Sequence, residues 1–89
     1  MQAILYLFLS EGIQMLTNQE ISEIIENAFQ PHRCTTEIFD YEQKIRLRIH
    51  DENDLPIITM KEVTLSSIRD EGALDSFCKD ILHRINNGN

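Results

Sequence analysis

Residues 44–50, Lys44-Ile45-Arg46-Leu47-Arg48-Ile49-His50, alternate apolar and basic side chains without a break. On a β-strand successive side chains point to opposite faces, so this run puts Ile45, Leu47 and Ile49 on one face and Lys44, Arg46, Arg48 and His50 on the other. A strand of this kind needs a core on one side only. The chain around it must therefore supply an apolar layer for that face and leave the basic face to solvent or to a partner.

The strongest local signal on the N-terminal side is Thr17-Asn18-Gln19-Glu20, a capping box in which a threonine and the glutamate three residues on satisfy each other's backbone donors. Leu16 and Ile21 stand where a hydrophobic staple would close. Ile21, Ile24, Ile25, Ala28 and Phe29 then recur at the spacing of an amphipathic helix, which Pro31 stops. Residues 33–39 are rich in β-branched and aromatic side chains, and 40–43 form a polar connection, so this segment and 44–50 read as a hairpin. After a second polar turn at 51–56, residues 57–63 read as a third, antiparallel strand. Ile58 and Met60 alternate one way and Ile57 and Val63 the other, which predicts a bulge or a twisted edge.

Leu65 and Ile68 are expected to tuck inward from the polar connection 64–69. Leu74, Phe77, Cys78, Ile81, Leu82 and Ile85 mark a second amphipathic helix, with Asp70 as its N-cap, His83 and Arg84 in its last turn and Gly88 beyond. The expectation is an α+β fold of order αβββα, both helices on one face of a three-stranded antiparallel sheet, in a single domain over 15–89. Residues 1–14 add an apolar N-terminal segment. Its run Ala3 to Leu9 is too short to span a membrane and lacks the positive flank of a signal peptide, since the first Lys or Arg is Arg33.

A chain of 89 residues buries only about 60 to 65% of its unfolded surface, which makes pairing with itself or another protein attractive. The formal charge of −7, from 15 acids against 8 Lys and Arg, repels nucleic acid and anionic membranes at long range, so an anion site must be local. Cys34 and Cys78 match no zinc spacing and are expected as reduced, buried thiols, which points to a cytoplasmic location. His32 and Cys34 could share a strand face, but two ligands make no metal centre. Asp51-x-Asn53 opens like a calcium loop, yet Leu55 and Pro56 occupy positions that need an oxygen and a glycine, so it reads as a turn.

The residues Met15-Leu16-Thr17, Glu20-Ile21, Ile24-Ile25-Glu26, Ala28-Phe29, Pro31 and Cys34 resemble the opening of the bacterial domain of unknown function 1652 family. That family begins with a Met-Leu-Ser/Thr start, runs through an Ile-Ile-Glu helix and reaches a Phe-x-Pro-x-x-Cys segment. The resemblance extends over about residues 15–86, more weakly through Asp51, Ser66 and Ser67. It implies no activity and carries over no catalytic or ligand residues. It also implies that residues 1–14 are an addition to the family pattern, either a real element or an early start of the reading frame.

The glycines Gly12, Gly72 and Gly88 are too scattered to cradle a phosphate, and no nucleophile elbow or zinc-protease motif occurs. The expectation is accordingly no enzyme, no cofactor, no metal and no small-molecule substrate. A non-enzymatic module that binds itself or another protein comes first. The alternative is a nucleic-acid or anion binder through Lys44, Arg46, Arg48 and Lys61. Against nucleic acid stands Arg69-Asp70-Glu71-Gly72: double-stranded RNA-binding domains, which share the element order, grip phosphate with a lysine-rich start to their second helix, and here that start is acidic. The basic ladder needs no ligand to exist. Unit charges about 6.6 Å apart in water repel by only about 0.6 kcal/mol, and Glu37, Glu42 or Glu62 lie near enough in sequence to pair with it.

Overall fold

The capping box forms as the spacing predicts. In the computed structural model, which describes residues 15–87, the Thr17 hydroxyl accepts from the Glu20 amide at 3.1 Å and the Glu20 carboxylate accepts from the Thr17 amide at 2.8 Å. They open helix α1, Asn18–Ala28. Leu16 and Ile21 are both buried, closing the staple. The helix gives way at Phe29 to a cis Gln30-Pro31 peptide, and the chain enters the sheet. The apolar run 3–9 and Gly88 lie outside the described residues.

Three antiparallel strands follow in order of sequence: β1 (Arg33–Phe39), β2 (Lys44–His50) and β3 (Pro56–Thr64). A short 3-10 turn, Leu65–Ser67, leads to helix α2, Glu71–Asn86, whose N-cap Asp70 accepts from the Ala73 amide at 2.9 Å. The architecture is α+β, and a single apolar cluster joins Ile21, Ile25 and Phe29 from the first helical segment, Ile45, Leu47 and Ile49 from β2, and Leu74, Cys78 and Ile81 from α2. Both helices therefore cover the same face of the sheet. Leu65 and Ile68 are buried, as their tucked positions required.

The third strand resolves its mixed alternation by bulging. Leu47 lies opposite Met60 and Ile45 opposite Val63, so Lys61 and Glu62 together face the single residue Arg46. The extra residue lets Met60 and Val63 both reach the core although three positions separate them. A second irregularity, between the pairs Ile49–Ile58 and His50–Pro56, leaves Ile57 on the exposed side.

Two features differ from the pattern in the chain. Ile24 belongs to the apolar spacing of α1 but is 40% exposed, because it sits at the margin of the stripe and the core closes over Ile21 and Ile25. The β1–β2 connection holds three successive non-glycine residues in the left-handed region, Asp40, Tyr41 and Glu42, at φ of 57°, 55° and 65°. Backbone bonds pin this loop: Gln43 donates to Phe39, its carbonyl accepts from Leu65, and the Asn18 side chain donates to the Glu42 carbonyl. The two helix starts are likewise tied together, with the Arg69 guanidinium donating to the Leu16 carbonyl at 2.8 Å and to Asn18 Oδ1 at 2.6 Å.

Candidate functional site

Strand alternation decides what the sheet shows to solvent. On the side away from the helices stand Arg33, Thr35, Glu37 and Phe39 from β1, the ladder Lys44, Arg46, Arg48 and His50 from β2, and Ile57, Thr59, Lys61 and Glu62 from β3. The three strands carry five Lys and Arg against two Glu, in a chain that is acidic as a whole. Five acids, Asp40, Glu42, Asp51, Glu52 and Asp54, occupy the two hairpin turns at opposite ends of β2. Of these, Asp40 and Asp54 pair with Lys44 and Arg33, Glu42 accepts from Asn18, and Asp51 accepts from its own turn amides.

The four sequence-predicted residues Lys44, Arg46, Arg48 and Lys61 all lie on or beside this face, but they are not equivalent. Lys44 pairs with Glu62, and with Asp40 at 3.6 Å. The hydrogen bond to Glu62 and the two carboxylate charges raise the Lys44 pKa, and the same hydrogen bond, with the Lys44 charge, lowers that of Glu62. Arg46 donates to Glu37 at 2.8 Å and lies over the Phe39 ring, 4.2 Å from its centroid, so both its charge and its flat face are engaged. Glu42, the third acid expected to pair, turns instead toward Asn18.

Arg48 is different. The register puts Thr35 directly across from it on β1 and Thr59 directly across on β3, so the middle row of the sheet is threonine, arginine, threonine. Among the described residues Arg48 and Lys61 make no ion pair. An open depression of about 360 Å³ lies over this row, lined by Thr35, Glu37, Arg46, Arg48 and Thr59 among others. It can hold one small anionic group against a guanidinium with hydroxyls on either flank.

Sequence spacing missed three elements of the surface. Arg33 reaches across the sheet end to Asp54, donating at 2.6 Å, and this hydrogen bond holds the Asp54 carboxyl below its ordinary range. Phe39 serves as the platform for Arg46. His50 Nδ1 is enclosed and has no hydrogen-bond partner among the described residues. Each follows from strand register, which composition and periodicity leave open.

The remaining chemistry-bearing groups lie elsewhere. Cys34 and Cys78 are buried thiols whose pKa values burial pushes up to about 11, with smaller contributions from the Glu26 and Cys78 charges on Cys34 and from Asp75 on Cys78. His32 stands just outside β1, its ring within 3.3 Å of the Phe29 carbonyl, and among the described residues no group of three or more His, Cys, Asp or Glu is disposed to hold a metal ion. Asp51 behaves as a turn residue, its carboxylate accepting from the Asn53 and Leu55 amides at 2.8 and 2.9 Å. No helix among the described residues is long and apolar enough to cross a membrane. No protein-family model, curated protein or solved structure matches the chain.

Proposed function

We propose that this protein is a small, non-enzymatic interaction module that docks a polypeptide, a second copy of itself or another chain, on the outer face of its sheet, the face that neither helix covers. The observation that carries this reading is the division of the sheet. One face holds the core beneath two helices, and the other presents a mixed row of charged, hydroxyl and apolar side chains, with exposed Leu55 and Ile57 at one end. Such a surface suits a protein partner, whose contacts combine apolar anchors with polar pairs. The buried thiols, held protonated, support a binding role over a nucleophilic one. They also fit a reducing compartment, and we place the protein in the cytoplasm on that basis. The residues that resemble the domain of unknown function 1652 family lead us to group the chain with it.

Nucleic acid is the weaker reading. The ladder that would grip phosphates gives Lys44 to Glu62 and Arg46 to Glu37. A seven-residue strand is about 23 Å long, and a polyanion running along it would meet acidic turns at both ends.

The test is a photo-crosslinking amino acid placed at Thr59 on the outer face and, separately, at Ser76 on α2. Mass spectrometry of the products then identifies whatever is captured in the producing cell. A discrete adduct with one polypeptide, from position 59 and not from 76, is the expected result. Equal capture from both positions, or none from 59, removes the proposal.

A further inference from the structure

Ion pairing leaves the outer face with a specific residue of charge. Arg33 is held by Asp54, Lys44 by Glu62 and Asp40, and Arg46 by Glu37. What remains among the described residues of the strands is Arg48, in the centre of the sheet, and Lys61, two residues beyond the Thr59 that faces it. We propose that Arg48, flanked by the Thr35 and Thr59 hydroxyls, is the seat for a carboxylate of an acidic, extended segment of the partner polypeptide that crosses the sheet. This rests on the interaction reading above and names the chemistry of its partner.

Three physical considerations select that occupant. A guanidinium presents a planar fork of donors that matches a carboxylate in two parallel hydrogen bonds, and hydroxyls directly across on both neighbouring strands add donors at its flanks. Diagonal neighbours on adjacent strands stand about 7 to 8 Å apart, and side chains two residues apart on an extended peptide are separated by about 6.6 Å. A segment with acids at alternate positions therefore brings one carboxylate to Arg48 and the next within reach of Lys61. Glu37 and Arg46 line the same depression and pair with each other, which leaves the single charge of Arg48 to be matched, so a group with one negative charge is favoured over a dianionic phosphate.

The overall charge of −7 does not forbid this binding, because at physiological ionic strength charges more than about 8 Å away are largely screened and the local pair dominates. Screening also bounds its strength. The ligand is held by exposed groups, so affinity must fall as salt rises above the physiological range.

The experiment titrates the full-length protein with the alternating decapeptide (Glu-Thr)5, its (Gln-Thr)5 counterpart, inorganic phosphate and a short RNA duplex, and follows backbone and arginine side-chain resonances by NMR. Saturable shifts centred on Thr35, Arg48, Thr59 and Lys61 are expected with the acidic peptide alone. Arg48→Gln is expected to weaken that binding about tenfold and Lys61→Gln by a smaller factor, while Lys79→Gln on the helix side leaves it unchanged. The amide spectrum of Arg48→Gln checks that the sheet is intact. Acidic-peptide binding that Arg48→Gln does not weaken overturns the seat, and leaves the docking face to be judged by the capture at Thr59. Tighter binding of phosphate or RNA than of the peptide overturns the choice of partner. No shift with any probe at 0.15 M salt overturns the inference as a whole.

Discussion

Replacing Tyr41 by glycine should make this protein more stable, although it deletes an aromatic ring. Tyr41 has φ of 55°, between two other residues with positive φ, and the residue is 94% exposed. A residue with a Cβ in this region costs about 1 to 2 kcal/mol relative to glycine, because the Cβ crowds the following carbonyl oxygen. Glycine returns part of that through the greater freedom of the unfolded chain, about 0.4 to 1 kcal/mol. The ring itself buries almost nothing, so its loss subtracts little. The balance is a gain of about 0.5 to 1 kcal/mol, which in a domain of this size raises Tm by about 2 to 8 °C.

Tyr41→Ala separates the backbone from the side chain. Alanine removes the ring and keeps the Cβ, so its Tm should stay within about 2 °C of the parent. Calorimetry and urea unfolding of the three proteins at pH 7 provide the comparison. If Tyr41→Gly melts below the parent, or if Tyr41→Ala gains as much as glycine does, the strain in this turn is not what its dihedral angles indicate. A fall of both variants by more than about 1 kcal/mol would mean that the ring makes contacts of its own.

The buried thiols predict a further pair of measurements. With pKa values near 11 against an ordinary 9, the thiolate fraction at pH 7.5 is about 100-fold lower than in the unfolded chain, so a disulfide reagent should modify both cysteines in denaturant and neither promptly in the native protein. Because the folded pKa values are the higher ones, the stabilisation from keeping these thiols neutral is complete below about pH 9 and is lost as pH rises through 11; the Cys34→Ala, Cys78→Ala double variant should show a shallower alkaline loss in urea unfolding. Leu47→Ala, at a fully buried position in the central strand, should cost about 2 to 5 kcal/mol in the same assay. A double-mutant cycle on Arg46 and Glu37 should return only about 0.2 to 1 kcal/mol, as both side chains are substantially exposed; a coupling above 2 kcal/mol would contradict a solvated pair.

The elements were readable because local and tertiary demands agree. Thr17 and Glu20 cap α1 within one turn of chain, and Ile45, Leu47 and Ile49 can share a core face only if β2 is a strand. The bulge was readable too, since the apolar positions Met60 and Val63 cannot both face inward at strict period two. Ile24 was not, because the stripe says which residues can be buried and packing against α2 and the sheet decides how far the burial extends. Nor was the left-handed turn, whose residues Asp40, Tyr41 and Glu42 include no glycine to announce it; its geometry is held by bonds from Asn18 and Leu65.

The same distinction between pattern and register governs the candidate site. Alternation identifies Lys44, Arg46 and Arg48 as one ladder of like charge, and along the chain nothing separates them. The register separates them. One step in pairing puts Glu37 opposite Arg46, the next puts Thr35 opposite Arg48, and the bulge brings Glu62 within reach of Lys44 while leaving Lys61 without a carboxylate among the described residues. A one-residue slip of β1 would exchange its faces and bury Glu37, which the core forbids. The apolar residues on the covered face thereby determine which cations on the outer face are left over. Arg48 owes its availability to the packing of Cys34, Ile45, Leu47 and Ile49 beneath it, so a core substitution that shifts this register should abolish acidic-peptide binding without touching a single basic residue.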